Sequence, residues 1–295
     1  MKICECIDLR RPTLSFEFFP PKTDIGFWDL YKTVEALRPL DPTYVSVTYG
    51  AGGGTRRKTV ELVGRIKNDL DIETMAHVTC VDADRSELTG VLDALKASGI
   101  ENVLALRGDP PAGRERFEPT AGGFSHANEL VSFVRDRYDF CIGAACYPEV
   151  HPESPDARTD LEHLKRKVDA GVDFLISQLF FENDSFLRFR DSLEQAGIDV
   201  PLIAGIMPIL SVKQVKRFTE MCGATIPKGL LQKIEAVEDD AEAVRHVGTY
   251  HATQQCHELI DASVAGIHFY TLNRSTATRA IFQQIRTRLV APAAK

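Results

Sequence analysis

The chain has no C-x-x-C pair and no Cys/His cluster with zinc-finger spacing, so neither a zinc ribbon nor a thioredoxin-type redox site is written into it. It has no G-x-G-x-x-G and no G-x-x-x-x-G-K-[ST], which removes the usual dinucleotide and P-loop signatures. No apolar run reaches the length of a membrane span. The N-terminus lacks a basic stretch followed by an apolar one, so no secretory signal is expected. Excess positive charge is missing too. With 35 Lys and Arg against 42 Asp and Glu, the net charge of -7 argues against a nucleic-acid surface, though not against a local basic pocket for an acidic small molecule. The seven cysteines are scattered and odd in number, which fits reduced, mostly buried thiols of a cytoplasmic protein. Cys4-Glu5-Cys6 is too isolated to count as a metal site, and no metal is expected.

What the chain does have is repetition. Eight short apolar runs each end on polar or Gly/Pro-rich residues: 14–19, 44–48, 75–79, 103–107, 142–147, 174–178, 202–206 and 267–271. Helical spacing fills the stretches between them. Strands alternating with helices imply a mostly parallel sheet covered on both faces. Eight such units in 295 residues of ordinary composition predict an α/β fold, a single (β/α)8 TIM barrel over 1–295. In that fold the C-terminal strand ends carry the chemistry. Glu17, Thr48, His77, Asp109, Tyr147 and Gln178 would then meet at one mouth.

The punctuation supports this division. Pro20-Pro21 bounds the first strand, and Pro39 stops the helix after it. Gly99 and Gly171 stand where helices should end. The loop from Asp109 to Gly123 is rich in Pro, Gly, Arg and Glu, and reads equally as a lid or as a solvated crossover. After a seventh helix near Val212 to Met221, Pro227 opens an extra helix before strand eight. The acidic run Glu235 to Glu242 then suits a helix start, where the dipole favours carboxylates.

Among single residues Glu17 is the sharpest. Alternation along its strand sets Phe16 and Phe18 on one face and Ser15, Glu17 and Phe19 on the other, toward the lumen. A buried carboxylate needs a partner or a proton. Glu17 is therefore either a general acid or half of a lumen ion pair with Lys or Arg. Arg107-Gly108-Asp109 presents an acid at the mouth beyond a glycine that permits close approach, or is a plain turn with an Asp cap. Gly50 to Gly54 could cradle an anion, but by itself reads better as a flexible loop. His77 and His151 fit hydrogen-bonding roles better than metal ligation. Asp160, His163 and Lys167 share a helix face at i, i+3 and i+7, away from the apolar stripe of Leu161, Leu164 and Val168.

Taken in order, these strings resemble the methylenetetrahydrofolate reductase family. They are Ser15-Phe16-Glu17-Phe18-Phe19-Pro20-Pro21-Lys22-Thr23, Val45-Ser46-Val47-Thr48-Tyr49-Gly50-Ala51, His77-Val78-Thr79-Cys80 and Ala105-Leu106-Arg107-Gly108-Asp109 in the first half. Tyr147-Pro148-Glu149-Val150-His151-Pro152, Leu164 to Gly171, Gln178-Leu179-Phe180-Phe181 and His268 to Arg274 follow in the second. They span nearly the whole chain, and together they are far more specific than any one alone. The resemblance is to the short bacterial form with the catalytic barrel only.

The resemblance implies non-covalent FAD without a Rossmann fingerprint, and NADH or NADPH as hydride donor. It implies Glu17 as general acid and Asp109 beside the flavin and pterin. The FAD-binding residues it implies are Thr48, Tyr49, Ala51, His77, Arg107, Gly108, Asp109, Ala127, Tyr147, His151, Asp160, His163, Arg166 and Lys167. Gln178, Gln214, Phe218 and Arg274 are the implied substrate contacts. The implied reaction is ping-pong reduction of 5,10-methylenetetrahydrofolate to 5-methyltetrahydrofolate. It would feed one-carbon metabolism and methionine synthesis, in a cytoplasmic homo-oligomer with small-molecule partners, away from nucleic acid and membrane. Two rivals stand beside it: a flavin-free (β/α)8 pterin enzyme, and a non-catalytic folate- or flavin-binding accessory subunit. The intact Glu17 and Asp109 count against the accessory subunit.

Overall fold

The computed structural model describes residues 1–8, 11–21, 23–49, 53–110, 113, 114 and 116–290. Eight strands close into a barrel in sequence order. They are β1 (Thr13–Phe18), β2 (Tyr44–Val47), β3 (Thr74–Thr79), β4 (Asn102–Leu106), β5 (Cys141–Cys146), β6 (Phe174–Ser177), β7 (Leu202–Ile206) and β8 (Gly266–Tyr270). The helices between them are α1 (Asp24–Leu37), α2 (Gly53–Leu70), α3 (Arg85–Ala97), α4 (Ala127–Arg137), α5 (Ala157–Asp169), α6 (Asn183–Gln195) and α7 (Val212–Cys222). Then α8 (Lys228–Glu235) and α9 (Ala241–Asp261) precede β8, and α10 (Thr276–Val290) follows it. The expected (β/α)8 barrel is therefore present. The extra helix expected before strand eight is α8; the acidic run Glu235 to Glu242 begins at its last residue and leads into α9, which Asp240 caps.

Packing divides the chain into two compact units. The first holds Met1–Cys6, Ser15–Ala145 and Arg166–Leu175; the second holds Ile7–Leu14, Cys146–Lys165 and Ile176–Lys295.

In the first unit the helices begin where local chemistry lets them. Thr23 accepts the Gly26 N–H at 3.1 Å to start α1. Asp84 and Glu87 exchange bonds of 2.8 and 3.0 Å with each other's backbone N–H, a complete capping box on α3. Gly99, at φ +76°, takes the left-handed turn that ends α3. Phe16, Phe18, Val45 and Val47 are fully buried. At Gly143 a Cβ would lie 2.8 Å from the Phe174 ring and 3.0 Å from Leu104, so the absent side chain leaves room for that aromatic. The described part of the loop after β4 is tied to the loop before α3. Asp84 bridges Gly123, and Arg85 lies over the Phe124 ring at 5.0 Å.

In the second unit Ser211 caps α7, which ends at Gly223 with φ +72°. Leu179, Phe181, Met207, Ile209, Val215, Ile234 and Val244 form an apolar cluster that joins β7 to the first turns of α7, to α8 and to α9. The helix α9 buries Val244, Gly248, Ala252, Cys256 and Leu259 along one broad face, against α6, α8 and α10. Phe19, expected on the lumen side with Glu17, lies beyond the end of β1 and is 41% exposed. Once the ladder stops, strand alternation no longer sets its direction.

Candidate active site

In the first unit, Glu17 sits one residue before the end of β1 and is 6% exposed. Its Oε2 lies 3.4 Å from Nε2 of His77 on β3. The register explains why residues of two non-adjacent strands meet. Glu17 pairs with Ser46 on β2, and Ser46 pairs with Met75 on β3. His77 lies two residues beyond Met75, on the same face of its strand. Strand stagger in a barrel raises it to where Glu17 points. The buried carboxylate thus lies against an imidazole.

The neighbouring strand ends are locked together. Gly108 has φ +87°, and a Cβ there would lie 2.6 Å from Val81 Cγ2 and 3.1 Å from Thr79 Cβ. The close approach expected of this glycine is real, and what approaches is the end of β3. Arg56, near the start of α2 and 8% exposed, donates to the carbonyls of Val81, at 3.1 Å, and Asp82. It pairs with Glu87 at 3.3 Å and lies 5.8 Å from the centre of the Tyr49 ring. Burial pushes the Tyr49 hydroxyl up to about 12, so it stays a neutral donor at ordinary pH. Thr48 bonds the two strands through its N–H to Phe18 O, at 2.8 Å. Arg56 is a supporting residue absent from the sequence-derived set. Its only signal was the basic start of the second helix.

Arg107 stacks over Phe117 at 5.0 Å, and Asp109 is exposed just past β4. Ala127 opens α4 half-buried; the Glu129 carboxylate already accepts the N–H groups of Ser125 and His126 at that terminus. Lys167, in the last turn of α5, reaches inward and donates to Ala145 O at 2.6 Å. Arg166 and His163 are exposed on the same helix. Ala51 lies outside the described residues.

In the second unit, Tyr147, His151 and Asp160 form one cluster. The Tyr147 and His151 rings meet edge to face with centroids 4.5 Å apart. Asp160 accepts the His151 N–H at 3.0 Å through one oxygen and the Ser154 hydroxyl at 3.0 Å through the other. His151 Nδ1 accepts the Glu153 N–H at 3.1 Å, so the neutral ring carries its proton on Nε2. Between Tyr147 and His151, Val150 holds φ +76°, an unfavourable conformation for a β-branched residue. Glu149 helps hold this loop by accepting the Thr225 N–H at 3.2 and 3.1 Å. A cavity of about 440 Å³ opens between this loop, α5 and α6, lined by Tyr147, Val150, Leu161, Leu164, Arg188 and Phe189 among others.

The four expected substrate contacts are all in the second unit. Gln178 accepts the Leu179 N–H at 2.9 Å through Oε1. Gln214 is half-buried on α7, and Phe218 packs against the apolar cluster from the same helix. Arg274 is exposed between β8 and α10, after a turn in which Leu272 and Asn273 both have positive φ.

A sequence profile described as methylenetetrahydrofolate reductase matches residues 2–286. The chain belongs to the methylenetetrahydrofolate reductase family. Within that family it is 41% identical over 275 residues to the 5,10-methylenetetrahydrofolate reductase of Escherichia coli, covering 93% of this chain and 91% of that one. It is 39% identical over 283 residues to methylenetetrahydrofolate reductase (NADH) 1 of Arabidopsis thaliana, covering 92% of this chain and 48% of the plant protein. The chain thus spans about half the length of the plant relatives it matches. In fold it is similar to an uncharacterized protein from Clostridium thermocellum that binds two copies of 5-methyl-5,6,7,8-tetrahydrofolic acid. That likeness has a TM-score of 0.68 at 15% identity, over 98% of this chain and 100% of the other. Among the described residues, no helix is long and apolar enough to cross a membrane.

The donors in the site fit the cofactor that the family resemblance implies. A pyrophosphate needs N–H donors and cations in place of a glycine fingerprint. In the first unit, Arg107 and Lys167 place such groups at the ends of β4 and β5.

Proposed function

We propose that this chain reduces 5,10-methylenetetrahydrofolate to 5-methyltetrahydrofolate, with NADH or NADPH as hydride source and FAD held non-covalently. The observation that carries the reading is the Glu17–His77 pair, buried at 3.4 Å at the C-terminal end of β1. A carboxyl group so shielded can keep a proton until a substrate nitrogen takes it. That proton transfer breaks a C–N bond of the five-membered ring and leaves an iminium carbon ready to be reduced. His77, as the neighbour able to share the proton, holds Glu17 in place between turnovers. Asp109, exposed beyond Gly108, offers negative charge to the cationic iminium. Phe218 offers a ring for stacking, and Gln178 a neutral hydrogen-bonding group. Together these suit two planar substrates in turn, in a ping-pong sequence. Bound FAD supplies the two-electron chemistry between nicotinamide and folate.

Anaerobic mixing tests the reading. The purified protein should carry flavin absorption that bleaches with NADH or NADPH, and added 5,10-methylenetetrahydrofolate should restore it. A colourless protein, or a flavin that neither nicotinamide reduces, would overturn it.

A further inference from the structure

The opposite end of the first unit holds a cluster that the proposed reaction does not use. Cys4 lies in a short 3-10 turn, Ile3–Glu5, near the chain start. Cys141 is the first residue of β5, and Asp173 directly precedes β6. One ligand atom from each, two sulfurs and a carboxylate oxygen, lie within 4.8 Å of one another. The sequence keeps them far apart: Cys4 and Cys141 are 137 positions from each other.

The surroundings are built. The Cys4 N–H donates to Cys141 Sγ at 3.2 Å, the type of bond that favours a thiolate. Asp173 Oδ2 accepts the Ile142 N–H and an Arg135 N–H, each at 2.7 Å, which orients the carboxylate. Arg135 is itself fixed by the carbonyls of Gly171 and Phe140, so its position does not depend on Asp173 alone. The turn that carries Cys4 is docked as well. Ile3 is fully buried with its N–H on Asn102 Oδ1 at 2.7 Å, and Lys2 pairs with Asp139.

We propose that Cys4, Cys141 and Asp173 bind a thiophilic divalent cation of the zinc class, which clamps the N-terminal turn to the starts of β5 and β6. Softness selects the metal: two sulfurs and one carboxylate suit zinc far better than magnesium or calcium. Tetrahedral Zn–S bonds of about 2.3 Å require sulfurs about 3.8 Å apart, so the ligand atoms need to close by at most about 1 Å. Charge also balances. Two thiolates, one carboxylate, one guanidinium and one divalent cation sum to zero, as does the metal-free site with both thiols protonated. Binding therefore exchanges the cation for two protons and leaves no buried net charge. A three-ligand site leaves the fourth position to water. Because it sits at the N-terminal strand ends, its role is stability and not turnover.

The full-length reduced protein is titrated with Co²⁺ and then with Zn²⁺. One equivalent of Co²⁺ should give thiolate-to-metal charge-transfer absorption with release of two protons, and Zn²⁺ should remove the absorption. Zn²⁺ should also raise the melting temperature. Cys4→Ser, on a half-buried turn, should fold, lose the absorption, bind Zn²⁺ at least about tenfold more weakly and show no thermal gain. Cys6→Ser, two residues on, should behave as the parent. Mass mapping of alkylated thiols should show Cys4 and Cys141 protected by Zn²⁺. Absence of charge-transfer absorption in the parent, or its persistence in Cys4→Ser, would overturn the site. So would Zn²⁺ protection that spares Cys4 and Cys141.

Discussion

Glu17 Oε2 and His77 Nε2 lie 3.4 Å apart with side chains only 8% and 6% exposed. A shielded acid beside a base is suited to holding one proton for delivery. If Glu17 is the general acid, only the folate half-reaction needs it. Glu17→Gln should keep flavin, bleach normally with the nicotinamide, and lose about 10²–10⁴-fold in folate reduction. Stopped-flow measurement of each half-reaction separates the two effects, and folate reduction at the parent rate would sink the assignment.

Gly108 offers a backbone test. Alanine there would meet Val81 at 2.6 Å in a conformation with φ +87°. Gly108→Ala should cost about 1–3 kcal/mol of stability and loosen flavin binding. A denaturation midpoint equal to the parent's would show that the β3 and β4 ends tolerate the extra atom.

Lys167 joins α5 to the end of β5 through Ala145 O at 2.6 Å. Lys167→Ala removes a charge-assisted bond of about 1.5–3 kcal/mol and the cation proposed to meet the flavin phosphates. The variant should remain folded by circular dichroism and release flavin on dilution. Flavin retained as tightly as in the parent would assign the phosphates to other donors.

Arg274 is exposed two residues before α10, where a cation opposes the helix dipole. A folate carboxylate would compensate. Arg274→Ala should weaken folate binding by about 1.5–3 kcal/mol and leave oxidation of the nicotinamide unchanged. Equal damage to both half-reactions would mean that Arg274 supports the fold or the flavin.

His251 on α9 predicts an acid-side loss of stability. Its Nε2 lies 3.0 Å from Phe181 O, an acceptor, so the ring donates from that nitrogen. Burial lowers its pKa from 6.5. The unfolded chain then binds the proton that the folded one resists, so stability falls as pH drops below 6.5 toward the folded value. His251→Gln can still donate to the carbonyl but does not titrate. Its melting temperature should fall less than the parent's over that range, and identical pH profiles would rule His251 out as a contributor.

The sequence alone determined the order and nature of the elements, because strand and helix periods and their Gly, Pro and capping punctuation are local. All eight strands lie within a residue of their expected limits, and Gly99 ends α3 as anticipated. Only the start of α9 was legible. The face that helix buries includes Gly248, Thr253 and Gln255 beside its apolar residues, so no apolar stripe marks it in the sequence. The lumen side of Glu17 followed from alternation, but its partner did not, since His77 depends on the stagger between strands. Lys167 reaching Ala145 depends on how a helix packs on its strand, and Asp160 bracing His151 on how the loop after β5 folds back. Cys4 meeting Cys141 and Asp173 is a contact across half the chain. Chain closure brings such groups together at distances no local period encodes, so only the tertiary structure decided them.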